Sequence, residues 1–101
     1  MLVVTRLKNQ EILVGPIIIT VLRAHEGFNN VTLRIRNGSK LDIVELAGGD
    51  KYKLTDEVTI TVLMFRNQSV RLGIDAPRSV DIYRRELHDA ITHTQSQRHV
   101  A

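Results

Sequence analysis

At 101 residues with no cysteine, the chain is too short for two independent cores and has no thiol for a disulfide framework, a thiolate metal site or redox chemistry. Apolar residues make up 43% but aromatics only 4%, and Val, Ile, Leu and Thr dominate, so a mainly β fold around a branched aliphatic core is expected. A formal charge of +3 and an isoelectric point near 9.7 favour a polyanionic partner only weakly, which leaves the placement of the arginines to decide.

Residues 2–6 and 11–14 are short apolar-rich runs separated by Leu7-Lys8-Asn9-Gln10, a hairpin pattern, and Gly15-Pro16 closes it. Residues 17–23 are largely β-branched. A polar loop over 25–30 leads into Val31-Thr32-Leu33-Arg34-Ile35-Arg36, where period-two alternation gives one buried face and one wet face bearing Thr32, Arg34 and Arg36. Asn37-Gly38-Ser39 signals a turn, residues 41–46 supply another strand, and Gly48-Gly49-Asp50 breaks the chain. A second series follows at 52–54, 58–66, 69–74 and 80–84, with turns at Thr55-Asp56, Asn67-Gln68 and Ala76-Pro77. From Arg85 the period changes. Leu87, Ala90, Ile91 and Thr94 fall at helical spacing, which predicts a short C-terminal helix ending in a polar tail.

The two series match one another. Ile19-Thr20-Val21-Leu22 returns as Ile60-Thr61-Val62-Leu63, Val31-x-Leu33-x-Ile35 as Val70-x-Leu72-x-Ile74, and Asp42-Ile43 as Asp81-Ile82, at offsets of 41, 39 and 39 residues. Three ordered matches at nearly one offset favour a duplication. The expected organisation is one intertwined domain over 1–101, with a degenerate first copy at 1–47 and a second copy at 51–97.

Nothing in the pattern suggests an enzyme. His88 and His93 are five apart, which does not put both on one helical face for a metal, and Ser69 and Ser79 lie in or beside strands without a nucleophile elbow. No glycine-rich phosphate loop is present, and no cofactor or metal is expected. Uninterrupted apolar stretches such as 16–19 are far below the ~20 residues that span a bilayer, and no basic segment followed by an apolar one opens the chain. The expectation is a soluble cytoplasmic protein with no membrane partner.

Two segments resemble the carbon storage regulator (CsrA/RsmA) family of bacterial translational regulators. Val70-Arg71-Leu72-Gly73-Ile74-Asp75-Ala76-Pro77-Arg78 is similar to the strand-four-to-five signature, and Val80-Asp81-Ile82-Tyr83-Arg84-Arg85-Glu86-Leu87 to the fifth strand and helix start. The opening MLVVTRLKNQEILVG is similar to the family's N-terminus. The resemblance implies an intertwined CsrA-like β-barrel or sandwich of short antiparallel and mixed strands with one short C-terminal helix, here a fused pseudo-dimer. It also implies a site in which the first strand, with Val4, Thr5 and Arg6, lies beside the last strand, with Val80, Ile82, Tyr83 and Arg84, next to Ala76-Pro77. Such a site would bind GGA-containing single-stranded loops of messenger leaders or small RNAs and modulate translation or messenger stability. Planar guanidinium groups suit paired hydrogen bonds to guanine edges and phosphates.

Two residues depart from the family pattern: Leu7 stands where a second arginine is usual and Tyr83 where histidine is common. Glu45 is matched to Arg84 in the other copy, and the 41–47 strand would also have to serve as the first strand of the second copy, which together predict that a second site is lost. Taken singly, Arg6 and Arg84 are ordinary surface charges, and only the paired motif makes them candidates. The alternative reading is a protein-interaction module or antagonist of such regulators, binding a regulator protein or forming a homodimer through an unpaired sheet edge.

Overall fold

The computed structural model describes residues 1–25 and 27–84. The predicted C-terminal helix lies outside the described residues. Nine strands form in chain order: β1 (Leu2–Leu7), β2 (Glu11–Val14), β3 (Ile17–His25), β4 (Asn30–Asn37), β5 (Lys40–Ala47), β6 (Lys51–Lys53), β7 (Thr59–Arg66), β8 (Ser69–Asp75) and β9 (Ile82–Arg84). They build a four-stranded sheet in the order β1-β8-β7-β6 and a five-stranded sheet in the order β5-β4-β3-β2-β9. The mainly β expectation is met, and every pairing is antiparallel.

The alternation read from the sequence sets the burial. In β4, Val31, Leu33 and Ile35 face the core while Thr32, Arg34 and Arg36 are wetter; in β8, Val70, Leu72 and Ile74 are buried and Arg71 is exposed. Ile12, Ile19, Val21, Ile60, Val62 and Ile82 join them in a continuous aliphatic core between the sheets. A fully buried aliphatic side chain contributes about 1.5–3 kcal/mol, so these rows hold the sheets face to face.

The two halves repeat each other in detail. In the first, the Asn9 amide donates to the Val21 carbonyl at 2.6 Å and the Val21 amide to the Gln10 carbonyl at 3.1 Å; in the second, the Gly49 amide donates to the Val62 carbonyl at 2.7 Å and the Val62 amide to the Asp50 carbonyl at 2.9 Å. The turns match as well: Gln10 Oε1 accepts from the Leu7 amide at 2.9 Å, and Asp50 Oδ2 from the Ala47 amide at 2.8 Å. Asn9 and Gly49 both sit at positive φ, 71° and 89°, a conformation open to Asn and Gly. Each half also has a register shift at the corresponding place, between Val21 and Arg23 and between Val62 and Met64.

This correspondence fixes the part β5 plays. β1 pairs with β8 so that Arg6 opposes Val70, and β5 pairs with β4 so that Leu46 opposes Val31. β5 therefore stands to the first half's sheet as β1 stands to the second's. The sequence leaves this segment serving both as the last strand of a first copy, with Glu45 matched to Arg84, and as the first strand of a second. In the ladders Glu45 opposes Thr32 as Thr5 opposes Arg71, so its counterpart is Thr5. The physical reason is the tight turn at Gly38-Ser39, which folds β5 straight back onto β4; Gly38 takes it at φ 63°.

Candidate nucleic-acid interface

β1 is the edge of the four-stranded sheet and β9 the edge of the five-stranded sheet, so the first and last described strands share no ladder. They are brought together through β2. β9 pairs with β2, placing Ile82 opposite Val14, Tyr83 opposite Leu13 and Arg84 opposite Ile12, and the Gly15 amide extends the ladder to the Asp81 carbonyl at 2.8 Å. From the other sheet, Arg6 Nη1 donates to the Glu11 carbonyl at 3.3 Å and Nε to the Thr5 carbonyl at 2.9 Å. Arg6 thus spans from β1 to the strand that carries β9.

The expected contact residues divide by burial. Val4 and Ile82 lie in the core, Arg6 is only 3% exposed and Tyr83 only 7%, whereas Thr5 is exposed and Ala76, Pro77 and Val80 are half-buried. Tyr83 is therefore packed rather than displayed for stacking. Parity along β1 explains Arg6: Leu2, Val4 and Arg6 share the inward side, Val3, Thr5 and Leu7 the outward side. The Ala76-Pro77 corner is closed by the Val80 amide donating to the Pro77 carbonyl at 3.0 Å, which delays the last strand to Ile82, two residues later than the sequence suggested. A half-open depression of about 520 Å³ flanks the corner, walled by Pro16, Val58, Val80 and Tyr83.

Sequence reasoning missed Arg71. It is exposed, directly opposite Thr5, and lines a shallow depression of about 60 Å³ with Thr5, Met64, Arg66 and Ser69. Its outward parity between Val70 and Leu72 was legible, but the cross-strand register that sets it beside Thr5 was not. Among the described residues, no group of three or more His, Asp or Glu side chains could hold a metal ion, and no helix is long and apolar enough to cross a membrane.

Two antiparallel sheets packed on an aliphatic core, with the edge strand β1 of one joined to β2 of the other through buried Arg6, define a small β sandwich. Residues 48–93 match the family model described as CsrA, global regulator protein family. The chain is 44% identical over 43 residues to the translational regulator CsrA of Desulfitobacterium hafniense (strain Y51), covering 43% of this chain and 56% of that protein. It is 48% identical over 40 residues to that of an Exiguobacterium species (strain ATCC BAA-1283 / AT1b), covering 40% and 53%. With that of Shouchella clausii (strain KSM-K16) identity is 37% over 49 residues, covering 48% and 62%. The chain spans little more than half the length of these relatives. No solved structure matches it.

Proposed function

We propose that this protein is an RNA-binding post-transcriptional regulator that recognises GGA motifs in single-stranded loops of messenger leaders or small RNAs, and that it acts by occupancy without chemistry. The observation that carries the reading is the joining of β1 to the β2–β9 ladder through Arg6, in a chain whose residues 48–93 match the CsrA family. In this reading the edge backbones of β1 and β9, with Thr5, Ala76, Pro77 and Val80, meet the unstacked bases, and Arg84 supplies the charge for guanine or phosphate. Buried Arg6 holds the two edges in place. Arg71, beside Thr5, adds a phosphate contact.

The chain is a tandem fusion in which the first copy runs to β4 and the second begins with β5. The four-residue set of matched turn and register-shift hydrogen bonds supports this placement. Only one RNA edge is then complete. At the β5 edge Leu46 stands in the register position of Arg6 and Glu45 in that of Thr5, and the Gly38-Ser39 turn leaves no room for a last strand in the first copy. The protein works in the cytoplasm, where messengers are translated.

The test is titration of a fluorescent hairpin with GGA in its loop, against one carrying CCU, using wild type and Arg84→Ala. Selective binding that weakens about tenfold or more in the variant is expected for loss of a charge-assisted contact. Equal affinity for both loops would sink the proposal.

A further inference from the structure

The five-stranded sheet and the four-stranded sheet are built to the same register, yet β2 carries β9 while β6 ends its sheet. The hydrogen-bond phase of the two edges is the same. In the first half the Gln10–Val21 bond puts Ile12 with Ile19 in hydrogen-bonding phase, so Glu11 and Leu13 turn their backbone groups outward, where β9 meets Leu13. In the second half the Asp50–Val62 and Leu54–Val58 bonds bracket Tyr52 with Ile60, so Lys51 and Lys53 turn theirs outward. No described strand lies on that side.

The charges of the two edges are reversed. β2 offers Glu11 and Leu13 to a strand whose sequence is basic, Arg84 followed by Arg85. β6 offers Lys51 and Lys53 at the same places, both exposed. A second copy's β9 would set lysine against arginine, and two β6 edges pairing antiparallel would set lysine against lysine; like charges directly opposite destabilise a sheet. The edge is thus shaped for a strand and charged against β9 and against itself, so the strand that complements it is acidic.

We infer that the β6 edge is an acceptor for an extended, acidic segment of a partner protein, which adds to the four-stranded sheet as β9 adds to the other. The partner's backbone would bond Lys51 and Lys53, and its carboxylates would lie beside their ammonium groups. The surface is separate from the β1–β9 edge and does not depend on RNA binding.

The experiment uses the full chain and a fluorescent peptide of residues 79–86 carrying Arg84→Glu and Arg85→Glu, with the unsubstituted peptide as the control. Binding is read by anisotropy and by amide exchange. The Lys51 and Lys53 amides should exchange fast in the free protein and slow on adding the acidic peptide, which should bind about tenfold or more tightly than the unsubstituted one. Lys53→Pro removes an outward amide without touching the β6–β7 bonds, so it should abolish binding and leave the fold intact. Should that variant fail to fold, the double variant Lys51→Glu, Lys53→Glu should reverse the preference to the unsubstituted peptide. The inference is overturned if the acidic peptide does not bind at about 1 mM, if Lys53→Pro binds it unchanged, if the double variant keeps the wild-type preference, or if the Lys51 and Lys53 amides are protected in the free protein or by the GGA hairpin instead.

Discussion

Replacing Arg6 separates a strut from an RNA ligand. Its guanidinium bonds two carbonyls, at 2.9 and 3.3 Å, and its side chain is almost wholly buried. Hydrogen bonds to a charged donor contribute about 1.5–3 kcal/mol each, and each buried methylene of the stem about 0.8 kcal/mol. Desolvating the charge takes back several kcal/mol. Arg6→Ala removes stem and bonds together, leaves the Glu11 carbonyl with a lost donor and opens a cavity, for a net loss of about 3 kcal/mol. Arg6→Leu puts an aliphatic side chain where Leu46 already fills the matching position on β5, so its loss should be about 1 kcal/mol or less. Urea unfolding followed by far-ultraviolet dichroism gives both values. With a slope of about 1–1.5 kcal/mol per molar for a chain this size, the Ala variant's midpoint should fall by about 2–3 M. RNA affinity of Arg6→Leu should stay within about threefold of wild type, since the two edges remain joined by packing. If Arg6→Leu folds normally but loses the GGA hairpin as completely as Arg84→Ala, Arg6 contacts RNA and the strut reasoning fails.

Gly49→Asn should be tolerated, because Asn9 makes the same turn at positive φ, whereas Gly49→Val should cost about 1–2 kcal/mol in thermal or urea unfolding; equal effects would undo the matching of the turns. Leu33→Ala and Leu72→Ala, both fully buried at matching positions of β4 and β8, should each lose about 3 kcal/mol, and a mild effect at either would show that its half adds little to the core. Arg71→Ala should weaken hairpin binding by about threefold for GGA and CCU alike and lower the salt dependence by about one charge, measured by anisotropy across salt concentrations. A selective loss of GGA would instead make Arg71 a base reader.

Much of the fold is legible in local pattern. Alternation in 31–36 and 70–74 marks the core rows, and Asn and Gly mark the turns at Asn9, Gly38, Gly49 and Asn67 where φ is positive. The inward parity of Arg6 is also in the sequence, although its motif context drew it outward. What local pattern does not carry is partner choice. β1 pairs with β8 across most of the chain, and whether the 41–46 segment closes one copy or opens the next depends on which strand it lies against. The sequence therefore leaves Glu45 matched to Arg84, whereas the ladder register sets it in the place of Thr5. The burial of Tyr83 has the same source, since it follows from the β2–β9 ladder that sets it opposite Leu13 rather than from its neighbours in sequence.

Isothermal titration of the GGA hairpin into the protein measures the central claim directly, because the proposed tandem fusion would leave one complete edge per chain. One RNA bound per 11.5 kDa chain is the predicted result. Two RNAs per chain would mean that the β5 edge is functional despite Glu45 and Leu46, and one RNA per two chains would mean that the site is shared between molecules; either result contradicts the account.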